Sequence, residues 1–517
     1  GPYTVNPGFI TLPQTAGVVG PLNIYVIMNS ATLGPNAGVV SNTSTGATTK
    51  NVALSGNVLE VEPTVQSAIT FGAITNSTIQ VNFTGGDGAH RILVAKALTA
   101  VNSDPADGTT YTGNSVFGAG SNLGAGNFAV YTGDLNTVLV SGLTAGTTYH
   151  FAVYEYNDGA VAGAENYLLP GGIGNETTID VPVTYTWIGG SSTWNTAINW
   201  APARLFPATN DILLFLDGTT ETVTAVPNES IGQLHVTLGT NVTLQAAVTA
   251  TALTINGTIA LDDLTVDATS ALNIDGANDY IINLATGTTG LIDGDMTFTN
   301  GAHKLTAVDA SAVTFTNGST FRTGIGFTSN PFGTASLNSI IFNNGSVMEY
   351  YTGSNPFGAA QPNSVVVFQA GSLYKVVGPG YSPAFSGRTY ANVEFAGTGT
   401  SSMTGGSAVS IDNLTVTSGV VNIGMTGTPG HAIKRNISVA AGAELNFAPA
   451  AAGTINLNGT VLQTISNLGI LTSGVNQTLN VDNAAGVTLN APVTISGTLN
   501  FTTGIVKTTQ TNLLTMA

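Results

Sequence analysis

Ser329-Asn330-Pro331-Phe332-Gly333 is repeated further along the chain as Ser354-Asn355-Pro356-Phe357-Gly358. The segment Asn338-Ser339-Ile340-Ile341 returns at the same offset as Asn363-Ser364-Val365-Val366. This fixed offset of about 25 residues, carried by short strands and turns with no helical segment between them, is typical of a β-solenoid, in which each coil buries its face only against its neighbours. The repeat therefore predicts stacked coils with Phe over Phe inside and Asn or Gly at the corners.

The repeat extends to both sides of this segment. A Phe followed two or three residues later by Gly recurs at Phe298, Phe315, Phe342, Phe368 and Phe395, and the first of these intervals is the shortest. Between Phe315 and Phe395 we take a register of about 25 to 27 residues, within the range of solenoid repeats. Roughly 330 residues at about 24 per coil give about 14 coils, and at ~4.8 Å per rung they give a rod of about 65 Å.

The composition limits the class of protein and its partners. Only 8% of the residues are charged, against roughly 25% in typical soluble domains, so Thr, Asn, Ser and Gly supply the surface polarity. The 28 acidic and 11 basic side chains give a net charge of -17, which argues against nucleic acid as a partner. There is no cysteine, which excludes disulfides and thiolate metal sites. No apolar run reaches the ~18 residues that cross a bilayer.

Two smaller modules are predicted before the solenoid. Residues 1–62 contain about four short strands, among them Leu22 to Ile27 and Lys50 to Leu54. Their last part, Gly46 to Gly56, resembles the end of immunoglobulin-like sandwiches in large secreted proteins of Bacteroidetes. We therefore interpret 1–62 as the C-terminal part of such a sandwich, and the chain as a fragment or a processed piece of a longer protein.

Residues 63–180 contain Leu143-Thr144-Ala145-Gly146-Thr147-Thr148-Tyr149, which resembles the turn before the penultimate strand of a fibronectin type III domain. The resemblance implies that the Tyr149 hydroxyl bonds the backbone of that turn. It also implies that Phe83 fills a core position where the family usually has tryptophan. Three further segments resemble a variant that recurs in Bacteroidetes surface proteins: Asp104 to Tyr111, Gly118 to Gly124 and Tyr154 to Asn157.

Residues 184–517 are predicted to form a right-handed parallel β-helix with a Trp-rich N-terminal cap at 184–215. Tyr185-Thr186-Trp187-Ile188-Gly189-Gly190, Trp194-Asn195 and Asn199-Trp200 resemble the opening of β-helical repeat regions in Bacteroidetes adhesins and autotransporter-like proteins. Trp187, Trp194 and Trp200 either cap the open end of the solenoid or stack on sugar rings. Gly486 to Val493 resembles the repeats that lead to a type IX sorting domain, which implies that export route.

Aspartates crowd one stretch of the predicted helix, and calcium coordination between coils is one interpretation of them. The candidate ligands are Asp262, Asp263, Asp267, Asp275, Asp279, Asp293 and Asp295. The alternative is that these carboxylates are solvated in turns, because neither an EF-hand spacing nor a Gly-Gly-x-Gly-x-Asp array is present. The five histidines are scattered and are predicted to be ordinary surface or strand residues. No other cofactor is expected.

The sequence and its resemblances favour a non-catalytic, extracellular adhesin or filament component. We expect its partners to be extracellular polysaccharide, a cell surface or other surface proteins. One alternative is a carbohydrate-active β-helix enzyme, which would need a cleft with three or more converging Asp, Glu, Arg or Lys. A second alternative is a secreted cargo bound to its export or outer-membrane machinery. An ice-binding solenoid with flat Thr ladders is a third, and the Thr positions show no fixed offset that supports it.

Overall fold

The structure is a computed structural model that describes residues 11–12, 17–26, 30–257, 262–360 and 362–517. The chain divides into two compact units, Gly1–Val181 and Pro182–Ala517. Both units consist of β-strands, and the one helix among the described residues is the 3-10 turn Ala197–Asn199. The described part has no helix of the length and hydropathy that a membrane crossing requires. The predicted all-β class is confirmed.

The first unit holds three antiparallel sheets. A hairpin pairs β1 with β2, a three-stranded sheet has the order β3-β4-β8, and a larger sheet has the order β10-β9-β5-β7-β6 with β11 also on β9. The strands are β1 (Gly34–Asn42), β2 (Lys50–Val58), β3 (Ser67–Ile74), β4 (Ile79–Gly85), β5 (His90–Ala97), β6 (Asn122–Gly124), β7 (Asn127–Gly133), β8 (Thr137–Val140), β9 (Thr148–Asn157), β10 (Asn166–Tyr167) and β11 (Gly172–Thr177).

The two larger sheets pack face to face around one apolar core. Phe83 of β4 is 3% exposed and lies in that core with Leu93 and Phe151 of the opposite sheet. The turn contact expected for Tyr149 is present, since the Thr144 N–H donates to its hydroxyl at 2.9 Å. The unit therefore contains a two-sheet β-sandwich, and its assignment to the fibronectin type III family stays a prediction.

The segment Asp104 to Tyr111 belongs to a long loop, and contacts with Tyr154 and Tyr167 hold this loop against the outer face of the larger sheet. The Tyr154 hydroxyl donates to Asp104 Oδ1 at 2.6 Å, and the Tyr167 N–H donates to Asp107 Oδ1 at 2.8 Å. Beneath them, the buried Glu155 accepts a hydrogen bond from Arg91 Nε at 3.0 Å. The recurrence of Asp and Tyr in these segments is thus explained by the packing of the loop.

The strands predicted within residues 1–62 are only partly present. Lys50 to Leu54 lies inside β2, which pairs with β1 along its full length. Leu22 to Val26 forms no strand, and Ile27 lies outside the described residues. Among the described residues no further strand pairs with this hairpin, so an immunoglobulin-like sandwich is not confirmed.

The second unit is a parallel β-solenoid built from five sheets, which we name A to E. Sheet A contains β12 (Thr184–Trp187), β14 (Trp200–Ala201), β15 (Ile212–Phe215), β18 (Gln233–Val236), β21 (Leu264–Val266), β24 (Gly290–Ile292), β27 (Val313–Phe315), β29 (Ile340–Phe342) and β31 (Val366–Phe368). Sheet B contains β13 (Ser192–Thr193), β16 (Thr220–Val226), β19 (Asn241–Ala246), β22 (Ala271–Ile274), β25 (Asp295–Phe298), β28 (Thr320–Thr323), β30 (Val347–Tyr350), β32 (Leu373–Val376), β33 (Asn392–Phe395), β36 (Asn413–Val416), β39 (Ile437–Val439), β42 (Gln463–Asn467), β45 (Val487–Leu489) and β48 (Val506–Lys507).

The three remaining sheets are shorter. Sheet C contains β17 (Glu229–Ile231), β20 (Thr251–Ile255), β23 (Tyr280–Leu284) and β26 (Lys304–Ala307). Sheet D contains β34 (Thr400–Gly405), β37 (Val420–Met425), β40 (Glu444–Phe447), β43 (Ile470–Ser473), β46 (Val493–Ile495) and β49 (Leu514–Met516). Sheet E contains β35 (Ser410–Ile411), β38 (Gly427–Ile433), β41 (Gly453–Leu457), β44 (Gln477–Asp482) and β47 (Thr498–Thr503).

Sheet B runs through the whole solenoid, and its fourteen strands confirm the predicted number of about 14 turns. Early coils pass through sheets A, B and C in that order, and late coils pass through B, D and E. In the coils of β27 to β32, the described residues form strands in sheets A and B only. The Pro-Phe-Gly turns of the repeat take the place of the third strand there. The handedness of the solenoid stays a prediction.

Most strands of the solenoid alternate between buried and partly exposed residues, as expected for a pleated wall around an apolar interior. The predicted stacking of Phe over Phe is found in sheet A. The rings of Phe315 and Phe342 lie 4.5 Å apart with an interplanar angle of 3°, and those of Phe342 and Phe368 lie 5.0 Å apart at 19°. This column continues from Phe215 through Val236, Val266 and Ile292.

Two parts of the predicted register are wrong. Phe298 and Phe395 belong to sheet B, so the short interval from Phe298 to Phe315 runs from sheet B of one coil to sheet A of the next and is less than a full coil. The sequence match aligns Ile340 with Val365, whereas the strands pair Ile340 with Val366, one position further along. The second copy therefore has one more residue in the turn before its strand.

The glycines that follow the Phe residues of sheet A form one corner on three successive coils, and Asn precedes the first two of them. Gly318, Gly345 and Gly371 have φ values of +92°, +80° and +87°, which favour glycine. The Gly318 N–H donates to the Gly345 carbonyl at 3.1 Å, and the Gly345 N–H donates to the Gly371 carbonyl at 3.2 Å. A Cβ on Gly345 would lie 1.9 Å from Asn317 Oδ1. The predicted corner role of Asn and Gly is therefore present in sheet A.

Candidate functional site

The three tryptophans meet at the N-terminal end of the solenoid. Trp187, Trp194 and Trp200 are at most 2% exposed. Trp200 contacts the other two edge to face, at centroid distances of 4.9 and 5.1 Å. Phe215 packs against all three. Because the rings are buried, none presents a free face to a sugar in this structure.

Buried charges surround this tryptophan cluster. Arg204 Nε donates to Asp211 Oδ2 at 2.8 Å, and its Nη1 donates to Glu229 Oε1 at 3.1 Å. Trp194 Nε1 donates to the same Glu229 oxygen at 2.8 Å. The Arg204 guanidinium also lies 5.8 Å from the ring centres of Tyr185 and Trp200. The network therefore holds the end of the solenoid together with paired charges.

Glu221 is a buried carboxylate in the same cluster. Its Oε2 accepts a hydrogen bond from Trp187 Nε1 at 3.0 Å, while its Oε1 has no partner among the described residues. Burial, with a smaller contribution from Asp217, raises the pKa of Glu221 to about 7, and the Trp187 hydrogen bond opposes this shift. The cap thus contains a carboxyl group that titrates near neutral pH.

The calcium candidates lie on two successive coils, and their carboxylates mainly accept hydrogen bonds from neighbouring coils. Asp262 Oδ1 accepts from Thr289 Oγ1 at 2.9 Å, and Asp263 Oδ2 accepts from the Thr289 N–H at 3.0 Å. Asp293 accepts from Thr316, and Asp295 accepts from Arg322 Nη1 at 2.9 Å.

The three remaining calcium candidates, Asp267, Asp275 and Asp279, make similar contacts. Asp267 Oδ2 accepts from the Leu238 N–H at 2.6 Å, and Asp275 Oδ1 accepts from Thr299 Oγ1 at 2.7 Å. Burial tends to raise the pKa of both Asp267 and Asp275, but these and further hydrogen bonds outweigh it and lower the pKa. Asp279 Oδ1 accepts from the Ala302 N–H at 2.8 Å.

No group of three His, Cys, Asp or Glu with the geometry of a metal site occurs among the described residues. Two of the histidines, His303 and His431, are fully buried, and His431 lies in β38. His303 Nε2 lies 2.8 Å from the Thr299 carbonyl and its Nδ1 accepts from the Tyr280 N–H, and burial lowers its pKa. Both rings serve as polar fillings of a coil.

Sheet B carries a ladder of alternating charges on its outer surface. Arg322, Glu349, Lys375 and Glu394 are register partners on four successive strands. Arg322 Nε contacts Glu349 at 2.7 Å, and Lys375 Nζ lies 3.7 Å from Glu394. Opposite charges on neighbouring strands favour this register. The positive and negative charges of the ladder therefore balance one another on the surface of sheet B.

Sheet A, in contrast, presents an uncharged outer surface. Its central outward column consists of Leu214, His235, Thr265, Leu291, Thr314, Ile341 and Val367. Burial lowers the pKa of His235, so this histidine is neutral at physiological pH. The column offers apolar and hydroxyl groups to a ligand.

A groove of about 460 Å³ opens on this column where sheet A ends. Ile341 and Val367 form its floor, and Phe368 contributes to one wall. Its polar lining residues are Ser311, Asn338, Gln369 and Thr389. No charged side chain lines it.

A second groove, of about 260 Å³, follows the corner between sheets B and D. Four glycines on successive coils form its bottom, namely Gly399, Gly419, Gly442 and Gly469. Val420, Glu444 and Ile470 stand beside them in one column of sheet D. Glu444 is the one charged residue in its lining.

Comparisons with known proteins add little to this description. No protein-family model matches the chain, and no curated protein matches it. Among solved structures, it is similar to an exopolygalacturonase of family 28 from Yersinia enterocolitica at 10% identity and a TM-score of 0.18, over 88% of this chain and 98% of that one. It is also similar to domains d3-d4 of the rat CD45 extracellular region at 16% identity and a TM-score of 0.14, over 34% of this chain and 85% of that one. Neither likeness is strong enough to carry an argument.

The sequence does not predict which residues line the first groove. Asn338 was noticed as part of the repeat, but Ser311, Gln369 and Thr389 were not singled out. The Phe residues of sheet A contain a signal that predicts the floor of the groove, because aligning Phe342 with Phe368 also pairs Ile341 with Val367. The shift of one position in the sequence match concealed this column.

Proposed function

We propose that the chain is a non-catalytic surface protein, an adhesin or structural filament component whose solenoid acts as a stiff contact surface. The carrying observation is that the two grooves described above have one charged lining residue between them, Glu444. Cleavage of a glycosidic bond by acid/base chemistry uses a pair of carboxyl groups that face each other across the bond. This lining favours binding over cleavage.

The construction of the solenoid supports a mechanical role. Fourteen strands of sheet B repeat at ~4.8 Å, which gives one hydrogen-bonded sheet along the rod. Stacked rings such as those of Phe315 and Phe342 fill the interior. Such a rod distributes contact over a long surface and depends little on any single residue.

The sequence resemblances supply the finer part of the proposal. They suggest an extracellular protein of a Bacteroidetes-like bacterium, exported by type IX secretion, in which immunoglobulin-like and fibronectin type III-like modules are spacers. The partners we propose are extracellular polysaccharide, a cell surface or other surface proteins. Capture of the chain by its export or outer-membrane machinery is a further proposed contact.

Adhesion and catalysis are tested on the same purified chain. Beads coated with the protein should bind to polysaccharide films, while incubation with soluble polysaccharides should release no reducing or unsaturated sugar ends. A matched variant, Glu444→Gln, should change neither result. Release of new sugar ends, abolished in Glu444→Gln, would replace the adhesin by the carbohydrate-active enzyme. Failure of the beads to adhere to any film, cell or surface protein would refute the proposed function.

A further inference from the structure

We infer that the groove on sheet A is a binding site for a linear, uncharged glycan that lies along the rod with about one sugar ring per rung. The inference rests on the proposed adhesive function and assigns it to one site. It is based on the direction of the groove, on polar side chains that make no hydrogen bond within the described residues, and on the absence of charged residues from the described lining.

The groove runs across the strands, parallel to the axis of the rod. Its floor passes from Ile341 to Val367, which are partners on successive coils. Thr389 lies on the next coil, where the ring of its neighbour Tyr390 packs on Phe368 at 5.9 Å, and it pairs with Ser410 at the start of sheet E. A ligand in this groove must therefore be extended along the axis. A peptide that added to sheet A as another strand would lie at right angles to it.

The polar groups stand on successive coils and line both walls of the groove. Ser311 and Asn338 occupy one wall on two successive coils, since the Ser311 N–H donates to the Asn338 carbonyl at 2.7 Å. Gln369 stands on the next coil, and Thr389 on the one after it. Gln369 follows its strand whereas Ser311 and Asn338 precede theirs, so it lies on the opposite wall. Each of these four coils thus offers one amide or hydroxyl group on one wall or the other, and successive coils are ~4.8 Å apart along the axis. This interval is similar to the repeat of an extended chain of pyranose rings.

These four polar side chains are available to a ligand. Ser311, Asn338, Gln369 and Thr389 are exposed, and within the described residues their side chains make no hydrogen bond. Elsewhere on the solenoid the outward amides bond to one another across coils. Examples are Asn413 to Asn392 at 2.7 Å, Asn446 to Asn422 at 3.0 Å and Asn480 to Asn456 at 2.9 Å. The groove is thus a place where the repeat leaves its amides free.

The charge and size of the groove define the class of ligand. A volume of about 460 Å³ lies in the range of small-molecule sites, ~300–1,000 Å³. The lining has no basic side chain to balance a carboxylate or sulfate, and the chain carries a net charge of -17. Uronic acid polymers are therefore disfavoured. An apolar floor with amide and hydroxyl walls suits a neutral sugar, which has apolar C–H faces and hydroxyl edges.

The test is calorimetric titration of the full chain with neutral β-1,4-linked oligosaccharides of glucose, xylose and mannose, and with oligogalacturonate as the acidic counterpart. We expect one neutral series to bind, with an affinity that rises with length up to about four rings, the number of rungs that line the groove. Val367→Arg, which places a long charged side chain on the floor, should weaken binding at least tenfold. Asn338→Ala and Gln369→Ala should each weaken it about three- to tenfold. Leu214→Arg adds the same charge six rungs away on the same outward column and should have no effect.

The outcomes separate the site from the function. Equal affinities of wild type and Val367→Arg, or tighter binding of oligogalacturonate, would show that the site is wrong. Absence of any neutral-sugar binding while coated beads still adhere would refute this inference and leave the proposed function intact. If Val367→Arg does not fold, as judged by circular dichroism, the two alanine variants decide, because both residues are exposed. Loss of bead adhesion in the same variants would connect the site with the function.

Discussion

The buried carboxyl group of Glu221 predicts that the cap of the solenoid loses stability as the pH rises. Its pKa is about 7 in the folded chain against an ordinary value of 4.5. The folded state therefore binds this proton more tightly than the unfolded state does. The contribution to the free energy of unfolding is largest below pH 4.5 and is lost as the pH rises through 7, by about 2.5 kcal/mol between pH 5 and pH 8.

Glu221→Gln tests this directly. The amide has the same shape, stays neutral at every pH and can still accept the hydrogen bond from Trp187 Nε1. We expect the variant to match wild type at pH 5 and to exceed it by about 2 kcal/mol at pH 8. The assay is urea unfolding followed by tryptophan fluorescence. All three tryptophans lie in this cluster, so the signal reports the cap and not the whole rod.

Glu444→Gln is the matched control, because Glu444 lies on the outer side of sheet D, where substitutions change stability by only about 0.5 kcal/mol. The reasoning would be refuted if wild type and Glu221→Gln lost the same stability between pH 5 and pH 8. A loss that Glu444→Gln removed equally would refute it as well.

Three further results are expected. Gly345→Ala should lower the unfolding free energy of the solenoid by about 2 kcal/mol, and Gly318→Ala by about 1 kcal/mol. Both glycines have a positive φ, but only the Cβ added at Gly345 would also collide with the Asn317 side chain. Equal losses of stability in urea unfolding would contradict the corner geometry. Tyr149→Phe should destabilise the N-terminal sandwich by about 1 kcal/mol, because the Thr144 N–H loses its acceptor; an unchanged calorimetric midpoint of that unit would count against it. Neither EDTA nor millimolar calcium should shift the thermal midpoint, since the candidate aspartates are occupied by hydrogen bonds between coils; a calcium-dependent rise of several degrees would revive the metal site.

The sequence was sufficient to predict the solenoid because local pattern and global repeat coincide there. Each coil must bury alternate residues against the next, so Phe315, Phe342 and Phe368 had to recur. The register was less secure, because turn lengths between strands vary and a sequence match is drawn to identical turn residues. The repeat in the sequence aligns Ser329 with Ser354, and the structure does place these two turn residues side by side. The same alignment would pair Phe342 with Val367, but in the strands Phe342 pairs with Phe368.

The candidate site could not be predicted in the same way. Whether an outward Asn is free or bonded depends on which side chain the neighbouring coil places beside it. Asn446 has Asn422 as its partner, whereas the Asn338 side chain has no such partner among the described residues. The burial of the tryptophans likewise depends on Phe215, which lies outside their motif. Such pairings are tertiary facts that composition and spacing do not contain.

The change of sheets along the solenoid has a mechanical consequence. The hydrogen bonds of a solenoid point along its axis, so an axial pull loads them directly and in series. Sheet A ends at β31, before β32, and sheets D and E begin at β34 and β35, after β33. Among the described residues, sheet B is therefore the one named sheet that joins the coil of β32 to the coil of β33. A rod held at both ends, as an anchored adhesin would be in flowing water, should therefore part first between the paired strands β32 and β33. The groove, whose lining extends to Thr389, reaches that weakest rung.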